Sequence, residues 1–222
     1  PGVVVLQEVF GVNGHIRDIV DRLAQMGYVA IAPALFHRQA PGFDAGYTPQ
    51  DPELGRGYAG NTTAAQLLED IQGAIDYLKS LPQVLPNFGC VGFCFGGHVA
   101  YLAATLTDIK VTASFYGRGI TTFTPGGGPP SVSRTADIKG KIYLFFGDED
   151  QSIPLEHVEE VRAALQQHQI LHQIWQYPGA GHGFNCNRRD SYNPTAATDA
   201  WQRLTELLLI LQPGDAELAS FS

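Results

Sequence analysis

The sequence predicts an α/β fold, a mostly parallel sheet covered by helices on both faces. Three observations point to it. Short β-branched or aromatic runs recur along the chain and alternate with longer segments whose apolar residues fall at helical spacing. At 222 residues, 44% hydrophobic and 16% charged, the chain is long enough for a sizeable core and is expected to be one domain over residues 1–222. No internal repeat interrupts the alternation.

Val3-Val4-Val5-Leu6 suits a strand buried on both faces. Gln7-Glu8-Val9-Phe10-Gly11 ends it, and Gly11, Asn13 and Gly14 mark a loop. Ile16, Ile19, Val20 and Leu23 then share one helical face, which Gly27 closes as a C-cap. Tyr28-Val29-Ala30-Ile31-Ala32 is a second strand, cut off by Pro33. Residues 35–61 show no period, and a loop of that length is usually functional or mobile. Thr62 or Thr63 can cap a helix carrying Leu67, Leu68, Ile71, Ile75, Leu78 and Leu81. After Pro82 and Pro86 comes a short apolar run, the strand of the Cys94 elbow, and it leads into a helix holding Val99, Ala100, Leu102, Ala103 and Leu106. Residues 111–116 read as a strand, and 117–135, with Gly126-Gly127-Gly128-Pro129-Pro130, as a flexible excursion. A strand over 142–146 follows, then a helix with Pro154 as its first residue and Val158, Val161 and Leu165 inside. Residues 172–177 alternate as a strand, and the last helix runs from about 196 to 211, where Pro213-Gly214 stops it.

Composition excludes several classes. A net charge of −8 without a basic run argues against nucleic acid or an anionic membrane as partner. No apolar stretch approaches bilayer length, and Pro1-Gly2-Val3 is not a signal peptide. Three scattered cysteines make no disulfide framework, so a reducing, cytoplasmic setting is expected. The chain opens without Met on a core strand, as a processed or trimmed chain would. No Gly-x-Gly-x-x-Gly follows a strand, no Lys-Ser/Thr follows Gly96-Gly97, and His157, His168 and His172 lack metal-site spacing. Neither cofactor nor metal is expected. Cys90 and Cys186 read as packing residues.

The chemistry concentrates at strand ends, where parallel sheets carry their sites. Gly92-Phe93-Cys94-Phe95-Gly96 is a nucleophile-elbow pattern with Cys in the place of the usual Ser. A nucleophile on a sharp strand-to-helix turn crowds its neighbours, and glycines two residues away relieve that crowding. The thiol then sits at a helix N-terminus, which favours thiolate. Gly147-Asp148-Glu149-Asp150 follows a later strand, and Gly181-His182-Gly183 follows the strand ending at Tyr177. Nucleophile, acid, histidine is the triad order of an α/β-hydrolase. His182 would take the thiol proton and an Asp would orient it. Asp148 could instead bond its own turn.

With Gln7-Glu8-Val9-Phe10-Gly11-Val12-Asn13, the Cys94 elbow, residues 147–154 and Gly181-His182, nearly the whole chain resembles the dienelactone hydrolase (carboxymethylenebutenolidase) family. The resemblance implies an α/β-hydrolase fold that opens cyclic enol-lactones, converting dienelactone to maleylacetate in aromatic catabolism. It implies that the family's earlier strands are absent here, with no expected catalytic residue among them. Its Gly-x-x-Asp pattern assigns the acid to Asp150. It gives Glu8 contact with the resting Cys94 thiol until substrate shifts it, and assigns the oxyanion to the backbone N–H groups of Val9 and Phe95. Arg38 and Arg56 match its substrate-carboxylate anchors. Three features depart from the family: Gly183 where Ser is frequent, Arg118 after Tyr116-Gly117, and the Gly-rich stretch near Gly126. Arg118 could add positive charge to the pocket or face solvent. The expected protein is a cofactor-free cysteine hydrolase of a small anionic lactone or ester, a monomer or small homo-oligomer. The rivals are a broader carboxylesterase or thioesterase and a non-catalytic ligand-binding relative.

Overall fold

In the computed structural model, which describes residues 1–214, six strands are interspersed with six α-helices along the chain. In order they are β1 (Gly2–Leu6), α1 (Gly14–Gln25), β2 (Val29–Ile31), α2 (Asp51–Gly60), α3 (Ala64–Ser80) and β3 (Phe88–Phe93). Then come α4 (Phe95–Ala103), β4 (Ile109–Phe115), β5 (Lys141–Gly147), α5 (Leu155–Gln167), β6 (His172–Tyr177) and α6 (Pro194–Leu208). The strands form one sheet in the order β2-β1-β3-β4-β5-β6, and every pairing is parallel. Residues 215–222 of the expected domain lie outside the described residues.

The sheet is buried on both faces, as its apolar runs require. Successive residues of β1 divide between two clusters. Val3 and Val5 belong with Ile16, Ile19 and Leu23 of α1, and with Leu204 of α6. Val4 and Leu6 belong with Leu67, Ile71 and Ile75 of α3 and Val99 of α4. Register aligns the strand ends. Phe93 pairs with Phe115, Phe115 with Phe145, and Phe145 with Trp175. Their rings stack in a row, with centroids 4.8, 4.4 and 5.1 Å apart. That row is a floor beneath the strand ends and the loops that carry the chemistry.

Chain order explains where those loops meet. From β1 the chain moves outward to β2, then returns to place β3 on the other side of β1. The crevice at such a reversal lies between the C-terminal ends of β1 and β3, the ends that carry Glu8-Val9 and Cys94.

Three sequence expectations change. Residues 35–61 are not all loop, since α2 occupies Asp51–Gly60. Gly55, Gly57 and Gly60 remove the apolar period, and only Gly55 of this helix is buried. The excursion after β4 contains a 3₁₀ helix, Ser131–Asp137. Pro154 is the N-cap of α5 rather than its first residue, because its ψ of 146° is extended. Thr63, not Thr62, caps α3, in a reciprocal box with Gln66. Among the described residues no helix is long and apolar enough to cross a membrane.

Candidate active site

Cys94 lies between β3 and α4 with φ 55° and ψ −113°, a conformation L residues rarely adopt. The surrounding close approaches hold it there. A Cβ on Gly92 would lie 1.9 Å from the Gly96 carbonyl oxygen, and one on Gly96 would lie 2.4 Å from that of Leu6. The Cys94 N–H donates to Phe115 at 3.0 Å, and its carbonyl accepts from His98 N–H at 3.1 Å. The half-buried thiol therefore sits at the positive end of α4.

His182 lies across the crevice with Nε2 3.0 Å from Cys94 Sγ and Nδ1 2.7 Å from Asp150 Oδ2. Asp150 is the buried acid. Its other oxygen accepts from the Ser152 N–H at 2.8 Å and from the Ser152 hydroxyl at 2.7 Å. An ionised carboxylate only accepts, so His182 carries its proton on Nδ1 and turns Nε2 to the thiol as a base. Burial alone would raise the Asp150 carboxyl, but His182 and Ser152 hold it below the usual carboxylate range. Burial would likewise lower His182, yet once the thiol proton has passed to Nε2 the negative charge left on the Cys94 sulfur, with Asp150 behind, raises it well above an ordinary imidazole. Asp148 does something else: its Oδ1 accepts from the Gly179 N–H at 2.7 Å, tying the β5 end to the histidine loop.

The N–H groups of Val9 and Phe95 make no hydrogen bond to other backbone groups among the described residues, and both residues line the cavity beside Cys94. Such free donors near a thiol can receive an oxyanion. Helix α2 fixes Val9 from outside, where a Cβ on Gly55 would lie 1.8 Å from the Val9 carbonyl oxygen. The next residue, Arg56, lines the cavity, which has a volume of about 560 Å³ and a largely apolar wall including Phe10, Phe95 and Phe123.

Two expectations are corrected. Arg38 does not reach the Cys94 cavity. Asp70 and Glu69 of α3 hold it at 2.5 and 3.2 Å in a separate surface groove, because two carboxylates lie within reach of its guanidinium fork. Glu8 does not contact the thiol. Its Oε1 accepts from Arg189 Nη1 at 3.2 Å, while Sγ is engaged by His182. The charged partner outcompetes the neutral thiol for the carboxylate.

Arg189 was not foreseen. It lines the cavity, and its room comes from Gly183: with φ +83°, a Cβ there would lie 2.2 Å from Arg189 Nη1. The available signal was Arg188-Arg189 in the loop that follows His182. Ser152 and Tyr116 were missed as well. Tyr116 has φ 38°, lies edge-on to His182 at 5.3 Å, and buries a hydroxyl with no partner. Arg118 lines the cavity. Behind the site Glu8, His15 and Cys186 bring ligand-type atoms within 4.8 Å of one another, the one such set among the described residues. Glu8 Oε2 and His15 Nε2 have no partner there, but Arg189 already places a cation on Glu8 and Cys186 donates to the Tyr47 hydroxyl at 3.3 Å.

The comparisons agree with one another. The profile of the dienelactone hydrolase family matches residues 1–210. A provisionally named carboxymethylenebutenolidase of Synechocystis sp. is 51% identical over 208 residues, covering 93% of this chain and 85% of that protein. A provisionally named 2-oxo-3-(5-oxofuran-2-ylidene)propanoate lactonase of Bradyrhizobium sp. is 31% identical over 208 residues, covering 90% of this chain and 80% of its own. A crystal structure from Klebsiella pneumoniae, provisionally named dienelactone hydrolase, superposes with a TM-score of 0.85 at 32% identity. It covers 94% of this chain and 86% of that one.

Proposed function

The chain belongs to the dienelactone hydrolase family and has its α/β-hydrolase fold, and from that premise we propose that it is a cysteine hydrolase opening a small anionic enol-lactone or ester. The observation that carries the proposal is the unbroken chain from Cys94 Sγ through His182 to Asp150, at 3.0 and 2.7 Å.

His182 Nε2 takes the thiol proton, and the thiolate attacks the ester carbonyl carbon. The oxyanion is received by the N–H groups of Val9 and Phe95. Collapse breaks the ring C–O bond. The departing enolate oxygen takes the proton back from His182 and tautomerises to a ketone. Water, deprotonated by the same nitrogen, then attacks the thioester, so one water is consumed and an oxo-acid leaves. Asp150 keeps the imidazole in the working tautomer throughout. Glu8, paired with Arg189, modulates the charge beside the thiol. Anion recognition falls to Arg56 and Arg189, cavity-lining guanidiniums suited to a carboxylate. The Bradyrhizobium relative's name describes an anionic ylidene lactone, which supports the same substrate class.

A cytoplasmic setting belongs to the proposal, since all three cysteines are free, as does a role in aromatic catabolism. So do a single domain and a monomeric or small homo-oligomeric state. The test is a hydrolysis screen of carboxylate-bearing dienelactones against neutral p-nitrophenyl esters of matched size. Higher kcat/KM on the dienelactones is expected. Preference for the neutral esters would replace the proposal with the broader esterase.

A further inference from the structure

The Gly-rich stretch after β4 is one of the three departures from the family, and the structure gives it a place. His98, fully buried one turn beyond Cys94, holds it. Burial lowers the His98 pKa to about 4, so the ring is neutral. Its Nδ1–H donates to the Arg118 carbonyl at 3.0 Å, and its Nε2 accepts from the Ser131 hydroxyl at 2.7 Å. The same imidazole meets the Phe123 ring edge-on, with centroids 4.9 Å apart. Gly119 makes room for that ring, since a Cβ there would lie 2.0 Å from Phe123 Cε1. The Pro125 carbonyl accepts from the Ala64 N–H at 2.7 Å, fastening the tip of the excursion to the start of α3.

Phe123 remains 46% exposed, although its backbone and one ring edge are fixed, and it lines the Cys94 cavity together with Arg118. The exposed Arg118 guanidinium has no ion-pair partner among the described residues. The cavity of about 560 Å³ lies within the range that buries drug-sized ligands, far more than a bare five-membered lactone needs.

Building on the hydrolase reading above, we propose that Phe123 and Arg118 form a second subsite in this cavity, which receives a flat aryl arm ending in a carboxylate. A held aromatic ring prefers an aromatic neighbour, and a free guanidinium prefers a carboxylate. The natural substrate is then larger than a simple dienelactone, with a conjugated arm that reaches from the scissile lactone over Cys94 out to Arg118.

The test compares 5-methylidene-, 5-benzylidene- and 5-(4-carboxybenzylidene)-furan-2-one. Wild-type kcat/KM should rise along that series. Phe123→Ala should lower the ratio of benzylidene to methylidene turnover by about tenfold, and Phe123→Leu should do the same if alanine impairs folding. Arg118→Gln should lower only the ratio of carboxybenzylidene to benzylidene, by about tenfold or more, with Arg118→Lys restoring part of it. Calorimetric affinities of the three compounds on Cys94→Ala should follow the same ratios. Because calorimetry needs no turnover, loss of all activity in the screen would end the hydrolase reading while the subsite was still measured. Ratios unchanged in the variants, or weaker binding of the aryl compounds than of the methylidene one, would overturn the subsite.

Discussion

At Cys94 the φ of 55° and ψ of −113° describe a backbone that only its surroundings can impose, at a cost of roughly 1–3 kcal/mol. What the conformation achieves is a thiol aimed at one nitrogen, with the acid aligned behind it. Asp150 and Asp148 stand two residues apart, yet one reaches His182 and the other binds the Gly179 N–H. Asp150→Asn should therefore lower kcat, by about 10²–10³, less than the 10⁴ known for a serine triad because thiols ionise more readily. Asp148→Asn should lower Tm more than kcat, and paired kinetics and melting curves on the two variants decide it. The Asp150 carboxyl is held below its ordinary value, so its stabilisation is complete above about pH 4 and fades as pH falls through the folded-state value. The Tm gap between wild type and Asp150→Asn should accordingly narrow from pH 7 to pH 3. His182 is shifted the other way: its stabilisation is present below about pH 6.5 and fades as pH rises through its raised value. The arginines separate by position. Arg56→Ala and Arg189→Ala should raise KM for a carboxylate-bearing lactone about ten- to a hundredfold more than for its methyl ester. Arg38→Ala, tied to α3 outside the cavity, should raise neither.

Among the elements, α2 bears on the site through the Val9 loop, yet its sequence carries no apolar period. It buries a single residue, Gly55, against the Val9 carbonyl, so no apolar stripe marks it. Gly55→Ala would push the helix and the Val9 loop apart, and a displacement near 1 Å can lower kcat by about 10²-fold. Gly57, with nothing within 4 Å of its would-be Cβ, is the control: Gly57→Ala should raise Tm, since alanine favours a helix by roughly 0.5–1 kcal/mol. Kinetics and melting of the pair test the claim. The strands were legible because burial on both faces forces continuous apolar runs, as in Val3-Val4-Val5-Leu6. Cys94, Asp150 and His182 were legible because each follows such a run with its glycines in place. Arg189 was not, because a loop guanidinium carries no periodic signal and its neighbour Arg188 binds Asp18 on the surface at 2.6 Å. Arg38 misled for the converse reason: its segment fits the family, but Asp70 and Glu69 lie thirty-odd residues away in sequence and are close only once α3 packs.

Over the whole molecule, a reversal in strand order and a shared register bring four loops to one end of the sheet. Glu8 and Val9 follow β1, Cys94 follows β3, Asp150 follows β5 and His182 follows β6. The acid and histidine loops are further joined by the Glu149 N–H donating to the Ala180 carbonyl at 3.0 Å. A stacked row from Phe93 to Trp175 keeps those ends level. Such an arrangement accounts for a site assembled from residues 88 positions apart at Cys94 and His182 and still closed to 3.0 Å. Its central claim is that the thiol of Cys94 does the chemistry, and the most direct measurement is the rate of enol-lactone opening by Cys94→Ala at wild-type fold stability. The expected result is a loss of about 10⁴-fold or more, as when other hydrolases lose their nucleophile. Turnover near the wild-type rate would contradict the account.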